Sequence, residues 1–257
     1  MAQAAKLPHW FEHLRKLRAA GARAAGEVEQ AKLAALKELA YGASHEINNP
    51  LANIAMRAQA LLREERDPGR RHMLATINRQ AFRATEMISD MMLFAKPPAP
   101  RPSDVHARAA VQGVLAELAQ EAAAQGTVLS CTAPEESETH LTADRTQFAV
   151  AIRALCRNAL EAVACGGRVE LTLSATADRL HIEVCDDGPG LTEEVREHLF
   201  DPFYSGREAG RGLGFGLSKV WRIVGLHGGT VRAENRPERG ARFGIELPRD
   251  AAGERAA

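Results

Sequence analysis

Between residues 11 and 95, apolar positions recur in steps of three and four, the period of helices that each bury one stripe. Leu36, Ala40, Ala43, Ile47 and Ile54 form one stripe. Leu74, Ile77, Ala81, Thr85, Ile88, Met92 and Ala95 form a second. Good helix formers dominate, and the one strong break is "RDPGR" at 66–70. The pattern predicts two long helices joined by a short turn, an all-α helical hairpin. A lone hairpin of this length has too little core, whereas two would close a four-helix bundle, so a homodimer is expected.

The pattern changes after "KPPAPRPS" at 96–103, whose four prolines favour an extended linker. Residues 104–125 read as helix, "TVLSCTA" at 127–133 as strand, and 144–164 as helix with Phe148, Ile152, Leu155 and Ala159 on one stripe. "RVELTLSATADRLHIEVCDDG" alternates like two strands around a turn, and "GTVRAENRPERGARFGIELP" repeats that hairpin pattern. Helices mixed with such strands predict an α+β sandwich. The expected organisation is an N-terminal helical segment at 1–27, a helical domain at 28–97, a linker at 98–103 and a second domain at 104–257.

Lysine plus arginine equals aspartate plus glutamate, 33 each, so net charge gives no argument for nucleic acid or a membrane surface as partner. No apolar run approaches the ~20 residues that span a bilayer. The N-terminus carries charges through its apolar positions and lacks a signal-peptide core. Cys131, Cys156, Cys165 and Cys185 show no CxxC spacing and read as reduced, buried thiols of a cytoplasmic protein.

Within the first helix, "ASHEINNPLANI" at 43–54 departs from simple patterning. His45 points about 160–200° away from the stripe of Ala43 and Ile47, toward solvent. Asn49 lies one turn further on the same side, and Glu46 is close enough to swing toward the imidazole. A neutral imidazole is a usable nucleophile near pH 7, and a neighbouring carboxylate can take the proton from its other nitrogen. An amide at i+4 can orient a water, and Pro50 removes a helix hydrogen bond beside all three. A solvated histidine on a proline-containing helix explains the stretch equally well on its own.

Four elements follow in order in the second half: "RNALEA" (157–162), "DDGPG" (186–190), "LFDPFYSGR" (199–207) and "GRGLGFGL" (210–217). Glycines let backbone N–H groups approach phosphate, and the last group leads into a helix whose start favours anions. With His45-Glu46-Ile47-Asn48-Asn49-Pro50, this series resembles the transmitter region of bacterial sensor histidine kinases over roughly residues 28–248. His45 to Pro50 resembles the H-box, Asn158 the asparagine box, Asp186 to Gly190 the first glycine box, Phe200 to Phe203 the phenylalanine box, and Gly212 to Gly216 the second glycine box. The run "FYSGREAGRGLGFGLS" looks most like kinases of the nitrogen-regulation type.

The resemblance implies a dimerisation and histidine-phosphotransfer bundle, followed by a catalytic domain with an antiparallel sheet, of the fold shared with gyrase-type and MutL-type ATPases. It implies ATP and Mg²⁺ as cofactors: Asp186 holds the adenine amino group, Asn158 the metal, and Gly188 and Gly190 shape the base pocket. Gly212, Gly214 and Gly216, with Leu217 after them, line the phosphates. Residues 201–211 form a lid carrying Phe203, with Arg207 and Arg211 as phosphate contacts. His45 takes the γ-phosphoryl group, Glu46 acts as base, and Asn49 positions water for regulator dephosphorylation. The implied partners are a second copy, a response-regulator receiver domain, and a sensor that is either a separate protein or a domain outside this chain. Only 27 residues precede the expected bundle, too few for a sensor domain. Two positions depart from the family pattern near the metal and phosphates: Ala154 and Glu161. The alternative readings are a degenerate, nucleotide-binding scaffold and a gyrase- or MutL-like ATPase; Ala154 lacks the carboxylate the latter uses to activate water.

Overall fold

The computed structural model describes residues 46–135, 138–202, 204 and 214–250. The N-terminal segment, the first part of the predicted helical stripe and the last seven residues lie outside them. The chain divides into two compact units between Lys96 and Pro97.

In the first unit, α1 runs over the described residues 46–64 and α2 over Pro68–Ala95. The break at 66–70 works as its sequence suggests. Asp67 accepts from the Arg70 N–H at 2.8 Å, and Pro68 opens α2 where its missing N–H costs nothing. Arg71 closes the turn by donating to the carbonyls of Leu62 (3.0 Å) and Glu65 (2.8 Å), acceptors that the end of α1 leaves open. The buried residues of the hairpin are Ala55, Ala58 and Ala81, with the larger Ile88, Met91 and Phe94 toward the end of α2. Ile47, Ile54 and Ile77, placed on the predicted stripes, are 43–47% exposed in the single chain.

The second unit contains β1 (Ser103–His106), α3 (Ala107–Ala124), β2 (Val128–Thr132), β3 (His140–Ala143), α4 (Arg145–Val163), β4 (Arg168–Ala175), β5 (Arg179–Asp186), α5 (Glu193–His198), α6 (Gly216–Leu226), β6 (Thr230–Asn235) and β7 (Ala241–Pro248). The five-stranded sheet has the order β2-β4-β5-β7-β6, and β1 pairs separately with β3. Both expected hairpins form, β4 with β5 and β6 with β7. The sheet is not wholly antiparallel as the resemblance implied: β2 runs parallel to β4, because it enters from α3 and leaves through a long excursion over β3 and α4. The expected helix over 104–125 begins as strand β1, since Val105 is drawn into the core opposite Leu141.

Alternation on the sheet decides the core. Leu171 pairs with Val184, and Leu173 with Ile182, pointing toward the helices. Phe243 and Ile245 extend the same face. Ile152 and Leu155 of α4 and Val220 and Ile223 of α6 cover this face fully buried, and Val111 and Val114 of α3 are buried against α4 and β2. Burying each such side chain contributes about 1.5–3 kcal/mol before chain entropy is counted. Of the cysteines, Cys156 is buried, with its thiol pushed up to about 12 by burial. Cys131 and Cys185 are half-buried and Cys165 is exposed, which corrects the expectation that all four are buried. Among the described residues no helix is long and apolar enough to cross a membrane.

Candidate functional site

Strand β5 turns Ile182, Val184 and Asp186 to the same inner face, so the last inward position is a carboxylate where alternation calls for an apolar residue. Asp186 is 1% exposed. Its Oδ1 accepts from the N–H of Gly188 (2.9 Å) and of Ala241 (3.2 Å). Its Oδ2 is buried and has no hydrogen-bond partner. Burial raises the pKa of this carboxyl above the ordinary value; the two N–H donors and Arg236 oppose that, and neighbouring Asp187 adds to it. A buried charged acceptor without a donor is costly, by about 1–3 kcal/mol or more. Oδ2 is therefore a vacant acceptor suited to an N–H donor.

The loop after Asp186 leaves no room for side chains. A Cβ on Gly188 would stand 2.9 Å from Asp186 Oδ1 and 3.0 Å from the carbonyl oxygen of Ala162. Gly190 has φ +81°, and a Cβ there would meet Asn235 Oδ1 at 2.9 Å. The turn between β6 and β7 clasps this loop from the other side. Asn235 accepts from Leu191 N–H (2.6 Å) and donates to Leu191 O (2.8 Å). Arg236 donates to the Asp186 carbonyl (3.1 Å) and Arg239 to that of Gly188 (3.3 Å). Sequence reasoning saw only a hairpin in "ENRPERGAR"; the two arginines and asparagine crowded into one tight turn were the available signal.

Asn158 is half-buried on α4, one turn before Ala162, whose carbonyl abuts Gly188, so its helix face turns to the same loop. Ala154, a further turn back, is 8% exposed, and Glu161 is exposed. Gly214 has φ +72°, and α6 begins two residues later. The N-cap of α6 is Phe215, 2% exposed, with no side-chain cap and no acidic residue in the first turn. A helix start without a side-chain cap favours an anion through its N–H groups and dipole.

Two family models match the chain. The His Kinase A (phospho-acceptor) domain matches residues 35–100. The Histidine kinase-, DNA gyrase B-, and HSP90-like ATPase matches residues 143–251. The chain belongs to the sensor histidine kinases, as a transmitter region. It is similar to the sensor histidine kinase ZraS of Klebsiella oxytoca, 31% identical over 93% of this chain and 51% of that protein. It thus spans about half the length of that relative. Among solved structures, full-length ShkA in complex with AMPPNP shares the fold, with a TM-score of 0.70 and 24% identity over 82% of this chain and 45% of that one. Histidine kinase ThkA in complex with response regulator protein TrrA gives a TM-score of 0.63 and 23% identity over 86% of this chain and 64% of that one.

In this transmitter region the sequence-derived site residues fall into three groups. Asp186, Gly188 and Gly190 share one loop of the second unit, and Asn158 lies on α4 one turn before Ala162, whose carbonyl abuts that loop. Gly214, Gly216 and half-buried Leu217 form the start of α6. Glu46 and Asn49 are exposed on α1, three residues apart, beside Pro50. His45, Phe203, Arg207, Arg211 and Gly212 lie outside the described residues. No cluster of three or more His, Cys, Asp or Glu suited to a metal occurs among the described residues. A divalent ion would rely on Asn158 and on ligand oxygens.

Proposed function

We propose that this transmitter region transfers the γ-phosphoryl group of ATP to His45 and then to an aspartate on a response-regulator receiver domain, as a cytoplasmic homodimer. The observation that carries the ATP part is the sealed, unpartnered Oδ2 of Asp186, an acceptor matched to the adenine amino group. Gly188 and Gly190 let the loop fold this tightly around the carboxylate, which suits a rigid wall for the base. The uncapped start of α6 suits the phosphates. Asn158 fits Mg²⁺ held jointly with phosphate oxygens, and that ion supplies neutralisation of the charge that builds on the phosphoryl oxygens. In the transfer itself, one ring nitrogen of His45 bonds to the γ-phosphorus while the bond to ADP breaks, and Glu46 accepts the proton from the other ring nitrogen. Asn49 orients water when a regulator is dephosphorylated. The run 203–218 supports the nitrogen-regulation type of lid.

The partner assignments have their own support. Large apolar side chains stand exposed on both helices of the hairpin, which suits closure by a second copy. A response regulator accompanies the fold-related kinase ThkA, and the exposed side of α1 near Asn49 offers the matching surface here. Labelling with γ-labelled ATP tests the reading: the expected label is acid-labile, base-stable and lost in His45→Gln. ATP hydrolysis without any histidine label would replace it with the ATPase reading, and nucleotide binding with neither would leave a scaffold.

A further inference from the structure

The loop after Asp186 crosses residues 187–191 without regular structure and is held from two sides. On the β4 side, Asp187 Oδ1 accepts from the Arg168 N–H at 2.9 Å, and the Asp187 N–H donates to the Arg168 carbonyl at 3.3 Å. On the other side stands the turn that joins β6 to β7, drawn shut by the Arg236 N–H on the Gly240 carbonyl at 2.9 Å. The pairing of β5 with β7 ends at Cys185 opposite Arg242. One position further, the Ala241 N–H goes to the Asp186 side chain, and half-buried Arg236 donates from its own side chain to the Asp186 carbonyl. Gly240 has φ +88°, and a Cβ there would collide with that same carbonyl. With Arg239 on Gly188 and Asn235 bonded twice to Leu191, the side chains of one turn fix three points along the loop. None of these residues lies in the sequence boxes that carry the family resemblance.

We propose that this turn is a working part of the nucleotide site: Asn235 and Arg239 are positioning residues that fix the course of the loop, and Arg236 is the positioning residue that fixes the backbone from which the Asp186 carboxylate is aimed at the adenine amino group. This deepens the ATP reading above and rests on it. The physical effect is preorganisation, since a loop ordered before the base arrives loses little further freedom on binding. Arg236 acts through charge as well. Burial raises the Asp186 pKa and Asp187 adds to that, while Arg236 opposes both. The other charged groups about the loop are Arg239 on the same turn and Arg168 of β4, whose side chain turns to Glu170. From α4 the loop meets the uncharged carbonyl of Ala162, next to exposed Glu161. One cation therefore both holds the backbone of Asp186 and favours the ionised carboxylate, the form that accepts from an amino group.

Three variants of the whole chain test the assignment, read by calorimetry of ATP with Mg²⁺ across pH and by autophosphorylation. Arg236→Gln removes the charge and shortens the donor. Its ATP affinity near neutral pH is expected to fall about tenfold, the worth of one hydrogen bond from a charged donor, and KM for ATP to rise by a similar factor while kcat at saturating ATP holds. The pH at which affinity fades should also move upward, because a carboxyl that loses a neighbouring cation takes up its proton at higher pH. Arg236→Lys keeps a cation able to make the single bond, and should recover most of the affinity and the wild-type pH profile. Asn235→Ala removes two bonds but no charge, so it should weaken binding without moving the profile. An Arg236→Gln chain that binds ATP as tightly as wild type, or one whose loss leaves the pH profile in place and is not recovered by Arg236→Lys, would overturn the role of Arg236. If Arg236→Gln fails to fold, Arg236→Lys with wild-type affinity and Asn235→Ala with undiminished affinity would together overturn the turn as part of the site. Failure of the wild-type chain to bind ATP would overturn the ATP reading itself. Wild-type affinity that Asp186→Asn abolishes and the turn variants leave untouched would overturn this inference alone.

Discussion

The two units use apolar residues in opposite ways. The hairpin buries alanines at 55, 58 and 81 with Ile88, Met91 and Phe94, yet leaves Ile54, Met56, Leu61, Met73 and Phe82 at 46–62% exposure. The second unit buries Phe243, Leu141, Ile152 and Leu155 to under 2%, and among its described residues the exposed large apolar ones are Val128, Trp221 and Leu226. One unit completes its own core and holds the buried Asp186 carboxylate at its edge. The other leaves large apolar side chains exposed, a surface suited to a further chain. Independence suits a part that binds a small nucleotide, and incompleteness suits a part that works on macromolecules.

The sharpest way to break this division is to silence one unit and ask whether the other notices. His45→Gln should abolish histidine labelling and leave nucleotide affinity intact by calorimetry, while Asp186→Asn should abolish both. Loss of ATP affinity in the His45 variant, with the fold preserved, would merge the two functions. Within the hairpin, Glu46→Ala should slow autophosphorylation by roughly 10²–10⁴-fold, the usual worth of a positioned general base. Asn49→Ala should leave that rate nearly normal and remove regulator dephosphorylation. Equal losses of both activities would reduce Asn49 to a structural role.

Stability should divide in the same way, with smaller effects. Leu171 is 1% exposed, and Leu171→Ala should cost about 2–5 kcal/mol in urea unfolding of the second unit at any protein concentration. Ile54 is 46% exposed, and Ile54→Ala should cost that unit nothing but promote dissociation on dilution. Light scattering of the wild-type chain should give twice its 27.8 kDa. A monomer at micromolar concentration would remove the second copy from the account.

Most of this contrast was legible in the sequence because period and punctuation are local. Helical spacing, "RDPGR" and the two strand hairpins each fix nearby backbone; among the described residues the helical hairpin over 46–95, its break and both strand hairpins formed as expected. What escaped depends on distant pairing. Strand β1 exists because Val105 finds Leu141, 36 positions away in the register, and nothing within "SDVH" announces that. The parallel pairing of β2 follows from topology, since its alternation would serve either direction. Asp186 was found through its glycine neighbours, but the clasp of Asn235, Arg236 and Arg239 around that loop arises from residues about fifty positions later. The linker was read correctly as non-helical from its prolines. Its bonds to Asp144 and Gln147 needed the fold to bring α4 beneath it.

The smallest effect contrasts two aspartates of the second unit. Asp186 has a pKa raised by burial; at Asp144, the N-cap of α4, burial is outweighed by N–H donors that include Gln147 and Arg101, and the pKa is lowered. A carboxyl raised in the folded state binds protons more readily folded than unfolded. Its contribution to stability therefore improves as pH falls from its own pKa toward the ordinary value of about 4. Asp144 works the other way: its contribution is present above the ordinary value and is lost as pH falls below it, through its own lower pKa. Nucleotide binding adds a second sign for Asp186. The adenine amino group needs an ionised acceptor, and a proton on Oδ2 would put donor against donor. Affinity for ATP should consequently weaken as pH falls through the raised Asp186 pKa, while the unliganded unit gains stability from the same protonation. Titrating ATP affinity and urea stability from neutral down toward the ordinary carboxyl value of about 4 would display the two trends in opposite directions. A parallel fall of both would mean that affinity is lost through unfolding. Asp186 would then be a structural carboxylate, and the vacant acceptor would no longer identify the base pocket.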